Sequence, residues 1–520
     1  MSSVLDQLPD NVDALKTLVV DHAARNEQLA EENQQYKSQV IILREQLNIA
    51  LAKRFASRSE QLSPDQIRLF DEAESTSSAE SKINPEETVA VAPYRRKVGG
   101  RKPLPERLPR IEVIHELPEA DRRCEHDGRL LVEIGAVVSE QLDIVPATIQ
   151  VIRHVRKQYA CDCGKCIKTA PLPVQPIPKS MASPGLLAHI TVSKYADALP
   201  LYRQETILQR IGVDIPRATL ANWMIRVGQL VQPLINLMRD RLLDYDIVQM
   251  DETPVQVLKE AGRRAQSKSY LWVQRGGPPD DRVILYDYDP SRSGAVPQRL
   301  LAGYSGYLQS DGYEGYNAVV AANGLTALGC MAHARRRFDE AVKAQGKNKR
   351  RGKAWHGLAL IQKLYRVEKQ ARAMTPDGRY RYRIEQAQPV LDEMRAWLEA
   401  ALPQVPPKNA TGKALYYLHA QWDKLTRYLE DGRLEIDNNL CENAIRPFVM
   451  GRKNWLFSGS VAGVNASANL YSLIETAKVH GLEPYAYLRA VFDKLPLATT
   501  VEDIEALLPG NIDAEHIKPR

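Results

Sequence analysis

The spacing of apolar positions changes several times along this chain, and each change marks a different element. Over residues 12–54 it is sevenfold. One seam runs Val12, Val19, Asn26, Asn33, Val40, Leu47, and the other Leu15, His22, Leu29, Tyr36, Leu43, Ala50. That spacing is a coiled coil, and two seam asparagines favour a parallel two-stranded register. Residues 1–62 are therefore expected to be a helical homodimerisation segment, weakened at His22 and Tyr36. The competing reading is one amphipathic helix packed on its own protein. The pattern vanishes over 63–110, where the low-complexity run from Glu74 to Ser81 predicts a disordered basic linker.

Residues 111–182 read as a small module with strands at Leu130–Ile134 and Ile149–Val155. Cys124 precedes them, and Cys161-Asp-Cys163-Gly-Lys-Cys166 follows. Two cysteine turns far apart in sequence are how a zinc ribbon is built, and four of the six cysteines fall here. Cys124, Cys163 and Cys166 would take Zn²⁺, with a fourth ligand from His126, Asp127 or Cys161, ranked in that order. Residues 183–236 are helical. A helix over Pro200–Ile211, a break at Gly212 and a helix opening with Arg217, Thr219 and Asn222 make a helix-turn-helix pattern, with Leu220, Trp223 and Val227 inward.

From Asp246 the period becomes that of strands. The order is strand (246–257), strand (269–274), strand (282–288), helix (295–302), strand (306–310), helix (315–322), strand (327–331). This order suits a ribonuclease-H-like catalytic domain, in two parts at 237–340 and 434–495. The long charged stretch 341–433 is a helical insertion with breaks at Pro376–Gly378 and Pro403–Lys408, and 496–520 is a tail. The fold class is thus multidomain α/β with α-helical parts, preceded by coiled coil, zinc-ribbon-like module and helix-turn-helix.

Three acids stand where chemistry is expected. Asp251 sits in the first strand, and alternation puts it with Gln249 and Thr253, opposite Val248, Met250 and Glu252. Asp311 ends the fourth strand. Glu442 lies in a helix start, where Asn439-x-x-Glu442 also fits a capping box. Two strand aspartates and a helical glutamate offer the hard oxygens that two Mg²⁺ ions need for phosphoryl transfer. Glu252 is the rival ligand.

Charge points to the substrate. From Arg95 to Arg110 there are seven Lys/Arg against Glu106 alone, and from Arg335 to Lys353 nine against Asp339 and Glu340. Such blocks suit a phosphate backbone. Arg101 and Lys102 form a Gly-Arg-Lys-Pro arm suited to a minor groove. His333, Arg335, Arg336, Arg446, Arg452 and Lys453 are further candidates for DNA contacts. No apolar run reaches membrane-spanning length and no signal peptide is apparent, so a cytoplasmic, nucleoid-associated location is expected.

Several phrases together resemble one family. They are Gly-Arg-Lys-Pro-Leu-Pro at 100–105, Lys-Tyr-Ala-Asp-Ala-Leu-Pro-Leu-Tyr-Arg-Gln at 194–204, Met-Asp-Glu-Thr-Pro at 250–254, Ser-Asp-Gly-Tyr at 310–313, Ala-His-Ala-Arg-Arg-Arg-Phe at 332–338, Asn-Asn-x-x-Glu-Asn-Ala-Ile-Arg-Pro at 438–447 and Gly-Arg-Lys-Asn-Trp-Leu-Phe-Ser-Gly-Ser at 451–460. The chain resembles the large DDE-type transposase of IS-sixty-six insertion sequences. The resemblance implies a triad at Asp251, Asp311 and Glu442, binding of the transposon ends and target DNA, cleavage and strand transfer, and accessory proteins of the same element. Asp127 stands where that family has a zinc-module cysteine.

Overall fold

A computed structural model describes residues 11–55, 149–160, 167–171, 173–345 and 352–513. Cys124, His126, Asp127, Cys161, Cys163, Cys166, Arg101 and Lys102 lie outside them. The chain forms two compact units, residues 66–172 and the remainder. Of the first, an antiparallel hairpin is described, β1 (Gln158–Ala160) with β2 (Ile167–Thr169).

The second unit begins with α1 (Val12–Phe55), a single helix as the heptads predict. Its seam residues Val12, Val19, Leu29, Tyr36, Val40, Leu43 and Leu47 are exposed. Its C-terminal part is tied down where Asn48 Nδ2 donates to Ala344 O (2.8 Å) and Glu45 Oε2 accepts from Ala410 N (2.9 Å).

Four helices follow: α2 (Pro184–Tyr195), α3 (Leu201–Arg210), α4 (Arg217–Leu230) and α5 (Gln232–Asp244). Leu220, Trp223 and Val227 of α4 are buried as the helical period requires. Then comes a mixed sheet. Its strands are β3 (Ile247–Lys259), β4 (Lys268–Gly276), β5 (Val283–Asp289), β6 (Tyr307–Gln309) and β7 (Thr326–Leu328), with α6 (Ala295–Leu300) and α7 (Asn317–Asn323) between the later ones. The spatial order is β5-β4-β3-β6-β7; the first three are antiparallel, and β6 and β7 run parallel to β3. The element order agrees with the sequence reading, though α7 opens with a 3₁₀ turn at Glu314–Tyr316.

A helical block is inserted next: α8 (Met331–Ala344), α9 (Lys353–Ala371), α10 (Pro376–Gln386), α11 (Gln388–Ala401), α12 (Ala410–Ala420) and α13 (Trp422–Thr426). The chain returns through α14 (Asn439–Trp455), β8 (Ser458–Ser460), α15 (Val461–Val479), α16 (Pro484–Lys494) and α17 (Val501–Glu505).

Two apolar cores result. One joins the sheet with α2, α4, α5 and α14 to α16; the other lies inside the helical block. The exposed edge of β5 is covered by α15. Ser472 Oγ accepts from Tyr286 N (2.8 Å), and Thr476 Oγ1 both accepts from Ile284 N and donates to Ile284 O, each at 3.0 Å. Helix hydroxyls thus replace the missing strand and close the edge to aggregation. Helix α4 crosses α15 so closely that a Cβ at Gly228 would sit 2.5 Å from Ala466 Cβ.

Four boundaries differ from the sequence reading. The helical block starts at Met331 rather than 341, because Ala334, Phe338 and Ala341 pack into its core. The last sheet strand consequently ends at Leu328, and His333 falls in the first turn of α8. Pro376 opens a helix instead of breaking one, since proline fits the first helical position and Thr375 caps it. Gly451–Trp455, expected as a basic turn, is the last stretch of α14. The missing side chain at Gly451 admits the Tyr471 hydroxyl, which a Cβ would meet at 2.6 Å. Among the described residues no helix is long and apolar enough to cross a membrane.

Arg383 holds the helical block together. Its side chain is fully buried, with Nε and Nη2 donating to the two Glu368 carboxylate oxygens (2.8 and 2.7 Å). Nη1 also donates to Tyr428 O (2.8 Å) and Asp431 O (3.1 Å), and Nη2 to Leu434 O (2.9 Å). Arg383→Met would strand a carboxylate and three carbonyls in the interior. The expected loss is about 3–5 kcal/mol of stability, read as a lowered urea midpoint.

Candidate active site

The site is built on the central strand. Gln249 of β3 pairs in register with Gln309 of β6, and their side chains are bonded, Gln249 Nε2 to Gln309 Oε1 at 2.7 Å. Side chains two residues on share a face. Asp251 and Asp311 each follow this amide pair by two residues, so the register places both on the same side at the same level. Asp311 sits just past the strand end, where Gly312 has φ 85° and Asp311 Oδ1 accepts from Tyr313 N (2.9 Å).

Glu442 arrives from far along the chain. It lies in the first turn of α14, whose start is clasped onto β3. Asn438 Nδ2 donates to Met250 O (2.9 Å), Asn438 N to Cys330 Sγ (3.2 Å), and Cys441 Sγ to Gln249 O (3.8 Å). The capping-box alternative fails. The N-cap is Asn438, whose side chain makes no cap bond because it is spent on β3, while Asn439 bonds Asp437. Glu442 faces His333 Nδ1 (3.6 Å) and Arg336 Nη2 (3.5 Å) instead.

The electrostatics show that the three acids converge. Asp251 is pushed up to about 8, first by burial, then by Glu252, with Asp311 and Glu442 adding to it; a backbone hydrogen bond from Glu252 N opposes the rise. Asp437, next to this cluster, is raised to about 6 by burial, against bonds from Tyr365 Oη (2.7 Å) and Asn439 N (3.1 Å). Burial also lowers His333, which Glu442 partly offsets.

Glu252 is otherwise employed. Its carboxylate is buried and paired with Arg292 (2.6 Å) and the Tyr316 hydroxyl (2.8 Å). Alternation therefore separates the two neighbouring acids, Asp251 towards the cluster and Glu252 into a polar scaffold. Arg292 also lies over the Tyr313 ring at 4.1 Å.

Do these residues fit a cation? Among the described residues, Glu442 Oε1, His333 Nδ1 and Asn438 Oδ1 are buried without hydrogen-bond partners. Buried acceptors are seldom left unpaired. Two oxygens and a ring nitrogen with unmet bonding capacity, beside the carboxylates of Asp251 and Asp311, suit a divalent ion. Cys330 Sγ, His333 and Glu442 also come within 4.8 Å of one another.

The proposed DNA contacts divide. Arg336 and His333 belong to the carboxylate cluster. Arg335, half-buried on α8, is not among the ion pairs to Glu442. Arg446 lies one helical turn beyond Glu442 on α14, half-buried. Arg452 is a structural tie, donating to Thr253 Oγ1 (3.2 Å) and to Pro254 O. Lys453 is exposed. At the start of α4, Arg217 and Asn222 are exposed and Thr219 half-buried, with Arg217 N bonded to Glu205 Oε1 (2.9 Å). Sequence reasoning missed Arg292, Tyr316, Cys330 and Asn438 as parts of the site. Only Asn438, beside the Asn439-x-x-Glu442 spacing, carried a local signal.

Comparison with known proteins identifies the family. The family model described as Transposase IS66 family matches residues 179–466, and the IS66 C-terminal element matches 472–509. The zinc-finger binding domain of transposase IS66 matches 121–164, taking in Cys124, His126, Asp127, Cys161 and Cys163 and ending before Cys166. A family described as Transposase C of IS166 homeodomain matches 42–113. Uncharacterized protein y4jD of Sinorhizobium fredii is 34% identical over 522 residues, 95% of this chain and 99% of its own. Uncharacterized protein y4qI of the same organism is 32% identical over 545 residues, 98% of each. With more than half of its length matched by one family model and full-length relatives above 30% identity, this chain belongs to the transposase IS66 family.

Proposed function

We propose that this protein is a DDE transposase, binding the terminal inverted repeats of an insertion sequence and carrying out Mg²⁺-dependent strand cleavage and strand transfer. The observation that carries the reading is the crowding of Asp251 of the central strand β3 with Asp311 and with Glu442 of α14. The sheet order, three antiparallel strands followed by two parallel ones, supports a ribonuclease-H-like catalytic fold with the helical block inserted before the third acid. The triad would hold two Mg²⁺ ions, which when bound supply Lewis acidity at the attacking and leaving oxygens.

The chain's own residues do the rest. Asp251, protonated at neutral pH in the unloaded site, gives up its proton when a cation binds. His333 and Arg336 orient Glu442, and Asn438 fixes the helix bearing it against the strand bearing Asp251. Arg292 keeps Glu252 from competing for the cation. Exposed Lys453 and half-buried Arg446, on the helix of Glu442, neutralise DNA phosphates. The start of α4, the Arg101–Lys102 arm and the module at 111–182 read the ends. The uncovered seam of α1 pairs two copies, so that both transposon ends are held together. The protein works in the cytoplasm on nucleoid DNA, alongside accessory proteins of its element.

The test is incubation with Mg²⁺, a labelled terminal repeat and a supercoiled target. Joined product supports the reading. Nicking alone would make it a nuclease, and binding without chemistry a regulator. Asp251→Asn, nearly isosteric but a poor ligand, should lower cleavage at least ~100-fold, about 2.7 kcal/mol of barrier, with end binding retained.

A second measurement needs no activity. An acid raised to about 8 is mostly protonated at pH 7, and a cation favours its ionised form. Calorimetry of Mg²⁺ binding in buffers of differing ionisation enthalpy should register proton release at pH 7, fading above pH 8 and absent in Asp251→Asn.

Purified protein should carry about one zinc per chain, as a folded structural site requires. His126→Ala should lose the metal and weaken end binding, with less effect on joining of pre-nicked DNA. Loss of zinc in Cys161→Ser but not in His126→Ala would transfer the fourth position to Cys161.

A further inference from the structure

Leu456, the residue after α14, has φ 66° and ψ −50°. Phe457 N donates to Trp455 O at 2.8 Å, so Leu456 is the centre of a γ-turn with positive φ, a conformation that leucine adopts only under strain. The strained turn leaves its apolar side chains outside. Leu456 is 64% exposed, and Phe457 43%.

The base of this tip is fixed on several sides. Arg452 bonds Thr253 Oγ1 and Pro254 O, and Asn454 Nδ2 donates to Ala198 O (2.9 Å). Trp455 packs edge-on against Phe448 with centroids 5.3 Å apart. Just beyond the tip, β8 pairs with the end of β3, Val257 opposite Ser458. The side chains are thus presented by a rigid support, and little ordering entropy remains to be lost on contact.

The surroundings suit a polyanion. From Asn443 to Ile474 the chain carries Arg446, Arg452 and Lys453 and no acidic residue. Glu442 lies in the first turn of the helix whose end bears the tip. At 1.5 Å per residue the two are roughly 20 Å apart, the length of about six base pairs.

We propose that Leu456 and Phe457 form an apolar wedge that enters a base step of duplex DNA about six base pairs from the phosphate held at the carboxylate cluster. Apolar side chains inserted between base pairs unstack and kink a duplex, and a flanking cation, here exposed Lys453, holds its backbone. The proposal rests on the transposase reading above.

The test uses full-length protein with Ca²⁺ and duplexes of the DNA flanking the coding sequence, scanned with 2-aminopurine. Wild-type protein should raise the fluorescence several-fold at one step, on one side of the cleavage position. The double variant Leu456→Gly, Phe457→Ala keeps a residue that accepts positive φ and should leave the turn intact. It should lose the signal and bind about 10-fold more weakly, as expected for lost stacking. An abasic site at the affected step should restore its binding, a rescue that a merely structural role would not permit. The wedge is overturned if the variant keeps the fluorescence signal. It is also overturned if wild-type protein binds the DNA in Ca²⁺ with no step unstacked, yet cuts it when Mg²⁺ replaces Ca²⁺, a result that leaves the transposase reading standing. Loss of a dimer in the variant would assign the tip to a second copy of the chain and overturn the wedge. Absence of DNA binding by wild-type protein sinks both readings.

Discussion

The burial of several carboxylates side by side is the constraint on which the rest of this structure depends. Asp251, Glu252, Asp311, Glu442 and Asp437 crowd around the centre of one sheet, and burial makes each charge costlier. The fold relieves all but the functional part of that cost. Glu252 has Arg292 and Tyr316; Asp437 has Tyr365 and Asn439; Glu442 has Arg336. Asp251 receives only the backbone N–H of Glu252 among the described bonds, and burial, then its acidic neighbours, pushes it up to about 8.

The second requirement is that Glu442 return to β3 after a long helical excursion. Loop closure by a flexible segment of that length would cost entropy, but a block with its own core brings its ends together. Entry and exit are bonded directly, Met331 N to Ile436 O at 3.1 Å. Gln309 Nε2 reaches Gly329 O (3.2 Å) and Glu435 O (2.8 Å), so the side chain beneath Asp311 also holds both ends of the block. Arg433 bridges Asp431 to Asp246 at the start of β3, 2.7 Å from each. The carboxylates are therefore positioned by a short ring of polar bonds around the junction, with Arg383 stiffening the block behind it.

Local pattern determined a good deal about this protein. The sevenfold period of α1, the order of sheet strands, the helical nature of the insertion and the separation of Asp251 from Glu252 all follow from neighbours within a few residues. Alternation along β3 is a backbone property, and it needs no partner to be legible. The acids at 251, 311 and 442 were visible as types in suggestive contexts, and phrases such as Met-Asp-Glu-Thr-Pro made the family recognisable.

Tertiary structure alone decided what each polar side chain is for. Asn439-x-x-Glu442 has capping-box spacing, yet the cap does not form, because Asn438 reaches across to Met250 O and Asn439 to Asp437. Arg452 reads as a phosphate clamp in sequence and is instead a tie to β3, while Arg383, one charge in a charged stretch, is the buried centre of the helical block. Gly451 reads as a turn and is helical, and Tyr471, from another helix, occupies the space of its absent side chain. In each case the deciding partner lies far away in sequence. Hydrogen bonds and close contacts are satisfied in space, whereas a sequence displays only the propensities of neighbours.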